Sequence, residues 1–315
     1  MFRALCLGIV TGCLMLGVGL MANVPTVSAL TISPPILELQ ANPGETKTAT
    51  ITLTNDEGQP IHVYPSIQKF LPLGTNGQQQ FLPPDDLDGL PSWTFLDGAD
   101  RILETNEKQT VTMEIRVPTD AQSGGMYEAV FFSSEPPLSL PGVRVGVRSR
   151  IGALVLLTVG DAKEIRLAAT DWRWLSESVS DSLRGTVRLT LRNTGGTHTV
   201  PTGEIVARDL FGRVVGRWPI NPAGSRILPA SERTFEQSIG GESMGGFSRE
   251  LTALGLGRYQ LSLEGVNGLT VVPEALSVVV FPWRVVSAIC LLLIGLFVAF
   301  RVYRSRLIRA MQTRS

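Results

Sequence analysis

The side chains able to do chemistry in this chain are few and scattered. Its two histidines, His62 and His198, are far apart in the sequence. Its three cysteines, Cys6, Cys13 and Cys290, all lie in apolar runs. The polar body of the chain therefore has no disulfide, no thiolate metal site and no cysteine nucleophile. The patterns HExxH and CxxC do not occur, which removes the common zinc and redox frameworks. Asp85, Asp86 and Asp88 offer three carboxylates, but the DDLDG spacing lacks the full oxygen-ligand loop that calcium needs. His62 alternates with Ile61 and Val63 and reads as an exposed strand residue rather than a base. A pair of acids brought together by folding is an enzymatic route that spacing leaves open, and no pair is singled out. The expectation is a non-enzyme, with no cofactor and no metal.

What the sequence does offer is binding surface. In VRVGVRSRIGALVLLTV, Arg144, Arg148 and Arg150 fall on one side of a strand by period-two spacing. That side is either a solvated sheet face or a strip for an anionic ligand, such as cell-wall carboxylates or phosphates. Trp172 and Trp174 also share a face, and core or interdomain packing is expected of them rather than a sugar-stacking platform. The span 71–91, rich in Gly, Pro and Gln, is too long for a plain connector and is expected to be a solvated loop.

These residues need elements to hold them, and both ends of the chain say where those elements stand. Arg3, the apolar run from Ala4 to Met21 and the small-x-small pattern Val27-Ser28-Ala29 predict a signal peptide over 1–29. Cys13 sits in a faint lipoprotein box, but the apolar run continues past it, so lipidation is not expected. Near the other end, Val285–Phe300 carries no charge. With Trp283 and Tyr303 at its edges it is long enough to cross a bilayer. Arg301, Arg304, Arg306, Arg309 and Arg314 follow with no acid, as expected of a cytoplasmic tail under the positive-inside rule. The expected parts are a transmembrane helix at 282–303, a basic tail at 304–315 and extracytoplasmic domains before them. Seven of the 28 Lys and Arg residues lie at Arg3, Arg284 and the tail, whereas all 28 Asp and Glu lie between. The outer region is net acidic, which argues against nucleic acid as a partner.

From Leu30 onward the chain reads as short strands with turn punctuation, predicting an all-β protein of two tandem immunoglobulin-like sandwiches. The boundaries are 30–160 and 161–281, with a hinge at Gly160–Lys163. Pro34-Pro35 interrupts the opening strand and belongs at a sheet edge. Ala49, Ile51 and Leu53 alternate with threonines, and Val111, Met113, Ile115 and Val117 repeat the pattern. Gly124-Gly125 opens a strand in which Tyr127, Ala129 and Phe131 share a face. In the second half, Glu204–Asp209 and Arg213–Trp218 flank Leu210-Phe211-Gly212 as a hairpin. TATITLTN in one half and TVRLTLRN in the other give a weak internal likeness, each ending in Asn.

This order of parts resembles the bacterial WxL-interacting protein family. Local support comes from the turn Pro43-Gly44-Glu45, the run Gly124-Gly125-Met126-Tyr127, and the pair Asn193–Gly196 and Asp209–Arg213. The resemblance implies a first domain that binds peptidoglycan and a second that engages surface or host proteins, without a residue signature to carry over. The first domain is also loosely similar to periplasmic pilus chaperones, which are soluble, unlike a chain with a membrane helix. Two functional readings follow. The first is a non-catalytic surface protein binding wall polymer or surface partner proteins. The second is a membrane-tethered, chaperone-like assembly factor for secreted chains.

Overall fold

The structure is a computed structural model and describes residues 30–97, 101–134, 150–161, 164–177, 179–240 and 257–312. The expected signal peptide, Arg144 and Arg148 lie outside them.

The first half pairs two sheets. One has the order β1-β3-β8-β6, from Leu30–Ser33, Thr46–Asn55, Lys108–Arg116 and Thr94–Leu96. The other has the order β2-β10-β9-β4-β5, from Ile36–Ala41, Arg150–Val159, Gly124–Ser133, Ile61–Leu73 and Gln78–Phe81, with β7 (Arg101–Leu103) also on β4. Alternation decides what lies between the sheets. Ile51, Leu53, Val111, Met113 and Ile115 from one sheet meet Val130, Phe132, Val155 and Leu157 from the other in one buried core. Each such side chain contributes about 1.5–3 kcal/mol by leaving water. The first strand changes sheets at Pro34-Pro35, as two residues without an amide donor require. β1 joins β3, and β2 runs parallel to β10.

The second half repeats the plan. A sheet β11-β13-β16 (Leu167–Trp174, Gly185–Asn193, Glu232–Ile239) faces a sheet β12-β18-β17-β14-β15 (Val179–Ser180, Leu276–Val280, Gly257–Glu264, Glu204–Arg208, Val214–Pro219). Val187, Leu189, Leu191, Ile205, Leu261 and Val278 fill the space between, and Trp172 and Trp174 pack against them. Each indole N–H donates to a backbone carbonyl, of Glu274 and Glu177 respectively. The tryptophans are core edges, as expected. From Val280 the chain passes into α2, Trp283–Gln312. Its stretch Trp283–Arg306 is long and apolar enough to cross a membrane, and its side chains are almost all exposed.

Three details depart from expectation. The span 71–91 is not a plain loop: β4 runs on to Leu73, β5 returns along it, and Leu90–Trp93 forms a single helical turn, α1. Beyond the Phe70–Phe81 pair, this two-stranded ribbon at a sheet edge buries no apolar side chain that would enforce alternation, so Gln78-Gln79-Gln80 hides a strand. The short β6 and β7 were likewise illegible. The apolar stretch Leu269–Val272 lies outside the last strand, which begins at Leu276.

Candidate functional site: the cleft between the two sandwiches

Tyr127, Ala129 and Phe131 do share one face of β9, and it is the face turned away from the core. Phe70 on β4, Leu156 on β10 and these residues form a second apolar cluster outside the sandwich, with Phe81 and Ile36 at its borders. Phe81 meets Phe131 edge-on at 4.9 Å and Phe70 at 6.1 Å. An outer sheet face would ordinarily be polar. Here it is an aromatic floor.

The second sandwich closes over part of it. The Gly125 amide donates to the Gly196 carbonyl at 2.8 Å, and the His198 amide donates to the Tyr127 hydroxyl at 2.8 Å. Burial raises the Tyr127 hydroxyl well above its usual pKa and lowers the His198 imidazole, so both stay neutral near pH 7. Arg226 pairs with Glu38 on β2, and Leu228 packs on the aromatic cluster. The tip of the β4–β5 ribbon reaches back, its Thr75 carbonyl accepting from the Thr234 amide at 2.8 Å on the edge of β16.

Between these contacts lies a cavity of about 300 Å³, lined by Ile36, Phe70, Leu154, Leu156, Arg226 and Arg233 among others. The Arg233 guanidinium is half-buried. It donates to the Arg226 carbonyl at 3.1 Å, and no carboxylate pairs with it among the described residues. Burial lowers its pKa, the mark of a charge taken out of water without a counter-ion. Gly77 in the ribbon turn allows this approach: its φ is +74°, and a Cβ there would collide with the guanidinium.

Beside the cavity runs an incompletely paired strand. β10 pairs with β9 over its whole length, Arg150 to Val159, but with β2 only from Leu154 onward. The Leu154 amide bonds the Pro35 carbonyl on that outer side. By alternation the amides of Arg150 and Gly152 point the same way, with no strand beside them among the described residues. The sheet switch at Pro34-Pro35 opens this edge by carrying β1 to the opposite sheet.

Of the arginine strip read from sequence, Arg150 is thus the one that can be placed. Its guanidinium lies over the Phe131 ring, 4.0 Å from the centroid, and donates to Gln68 Oε1 at 2.9 Å. It belongs to the rim of the aromatic floor. His62 is exposed and stacked on Tyr64 at 4.3 Å. The residues that sequence reasoning missed are Arg226 and Arg233, which reach the site only because the sandwiches fold against each other.

A further buried group lies on the core side of β9. Glu128 is fully buried, accepts from the Thr94 hydroxyl at 2.8 Å through Oε1, and has an Oε2 with no partner among the described residues. Burial pushes its carboxyl up to about 7.

No family model and no curated protein matches the chain. Among solved structures it is similar to the class 5 fimbriae chaperone CfaA at 12% identity and TM-score 0.38, over 81% of this chain and 100% of that one. The Salmonella enterica SafB chaperone with SafA pilin gives 13% and 0.35, over 82% and 99%. The E. coli chaperone DraB gives 11% and 0.36, over 81% and 97%. At such identities and scores the likeness carries no argument about function.

Proposed function

We propose that this chain is a membrane-anchored, non-catalytic binding protein that holds an extended segment of a secreted or surface protein, as an assembly factor would. In this reading the two sandwiches are immunoglobulin-like and stand on the extracytoplasmic side. α2 crosses the membrane, and its arginine-rich end lies in the cytoplasm. The edge of β10 over Arg150–Ala153, which no strand among the described residues pairs and which runs beside the aromatic floor of the cleft, carries the proposal. An added strand would satisfy the free amides and carbonyls, and its alternate side chains would enter the cleft. Arg233 would meet an acidic group on the segment, whose charge it lacks now.

Wall polymer as ligand, the implication of the WxL-interacting resemblance, rests on the arginine strip, and its one placed member is engaged by Phe131 and Gln68. The strand-holding reading is therefore preferred. The test is binding of the full chain in detergent micelles to an array of overlapping peptides from secreted proteins of the same cell, with isolated wall sacculi in parallel. A subset of peptides should bind, and Arg233→Ala should weaken the acidic ones most. Co-sedimentation with sacculi and no peptide binding would overturn the proposal in favour of the polymer.

A further inference from the structure

We infer that the β14–β15 hairpin tip, Leu210-Phe211, is a second membrane contact that dips into the bilayer interface beside α2. The inference rests on the reading of α2 as a membrane span. Its observations come from the end of the second sandwich opposite the cleft.

Register places the tip. Arg208 on β14 faces Gln260 on β17, and Gly257 at the start of β17 faces Val280 at the end of β18. The turn after Arg208 therefore projects from the same end at which the chain leaves Val280 for Trp283. The packing agrees: a Cβ on Gly257 would lie 2.9 Å from Leu210 Cδ1. Two strand spacings, about 10 Å, separate β14 from β18.

At this position the tip is more apolar than a solvated turn has reason to be. Phe211 is 82% exposed and Leu210 64%. Val214 and Val215 follow on the strand, also exposed, and Phe281 and Trp283 are exposed at the start of the helix. The turn is held stiffly. Asp209 Oδ1 accepts from the amides of Phe211 and Arg213, both at 2.9 Å, and its Oδ2 accepts from Arg213 Nε at 2.7 Å. A turn built this firmly around an outward phenylalanine presents the ring instead of folding it away. Arg213 lies over the Phe211 ring at 5.2 Å, a placement in which the guanidinium can stay at the phosphate level while the ring enters below it. Arg258 sits at the same end. The occupant is a lipid bilayer with anionic headgroups, because the exposed belt of α2 fixes a bilayer directly beside the tip. The contact would set the tilt of the sandwiches and keep the cleft facing away from the membrane.

The test uses the full chain, with Cys6→Ser, Cys13→Ser and Cys290→Ser, in phosphatidylcholine/phosphatidylglycerol vesicles. Spin labels are placed singly through Phe211→Cys, Val271→Cys and Leu293→Cys, and their oxygen accessibility is read. Val271 is exposed in the loop that leads into β18, at the end away from α2, and serves as the aqueous reference. The label at 293 should report hydrocarbon, the label at 271 water, and the label at 211 a depth between them. A label at 211 as aqueous as the one at 271, with 293 in hydrocarbon, would overturn the tip contact alone. An aqueous signal at 293 would remove the membrane reading and the tip contact with it.

Discussion

The two sandwiches share one construction and differ in what they leave outside it. The likeness is closest at the asparagines ending TATITLTN and TVRLTLRN. Asn55 and Asn193 are both buried, and each is the last residue of the central strand in a run of three, β1-β3-β8 and β11-β13-β16. Asn55 Nδ2 donates to the carbonyls of Gln59, Leu103 and Glu104, and its Oδ1 accepts from the Glu57 amide. Asn193 repeats this with Thr197, Ile227 and the Gly195 amide. One side chain ties a strand end to two neighbouring loops in each half.

The outsides diverge. The second sandwich covers its outer faces with ion pairs, Arg188 with Glu236 and Arg217 with Glu204. It also blunts its free edge, β15, with Arg217, Pro219 and a register shift at Ala207/Arg208. The first sandwich shows an aromatic outer face and, among the described residues, leaves the start of β10 unpaired on its outer side. Under the proposed strand-holding role, the edge left unguarded in one copy of the plan is where binding would override the ordinary protection.

The largest effects should come from what the halves share. Asn55→Ala leaves three buried or half-buried carbonyls without their donor and should cost about 3–4 kcal/mol, with Asn193→Ala somewhat less. Urea unfolding of the full chain in detergent checks both, and equal costs would weaken the link to bond count.

Glu128 separates the halves next. Its carboxyl, held at about 7, keeps its proton in the folded state while the unfolded chain releases it near 4.5. Stability should fall as pH rises through that window and be flat below and above it. Glu128→Gln should remove the fall and raise stability at pH 8 by up to about 3 kcal/mol, with no gain at pH 4. Thermal midpoints across pH measure this; an unchanged slope would show that the carboxylate finds a partner.

A smaller effect tests the edge. Arg150→Pro removes one outward amide, whereas Arg150→Ala keeps it, so peptide affinity should drop about fivefold further for proline than for alanine. The smallest effect should come from the solvated faces. Arg188→Ala breaks a half-exposed ion pair and should change stability by less than about 1 kcal/mol in the same unfolding assay.

Much of this architecture was legible because burial on one face enforces a period of two. The strands around Ile51, Val111 and Leu189 could be read directly, as could the shared Asn, the face of Tyr127 and Phe131, and the apolar run of α2. What escaped lacks that constraint. The β4–β5 ribbon has no buried apolar face beyond its Phe70–Phe81 pair. Glu128 occupies a core position that pattern assigns to an apolar residue. The cleft cations Arg226 and Arg233 stand about seventy to eighty residues beyond β10, and no local period encodes how two sandwiches meet.

The most direct measurement is amide hydrogen exchange along β10 and β15 of the full chain, before and after adding the tightest-binding peptide from the array. Strand addition predicts new protection at Arg150 and Gly152, with β15 unchanged. Peptide bound without any slowing at those two amides would contradict it.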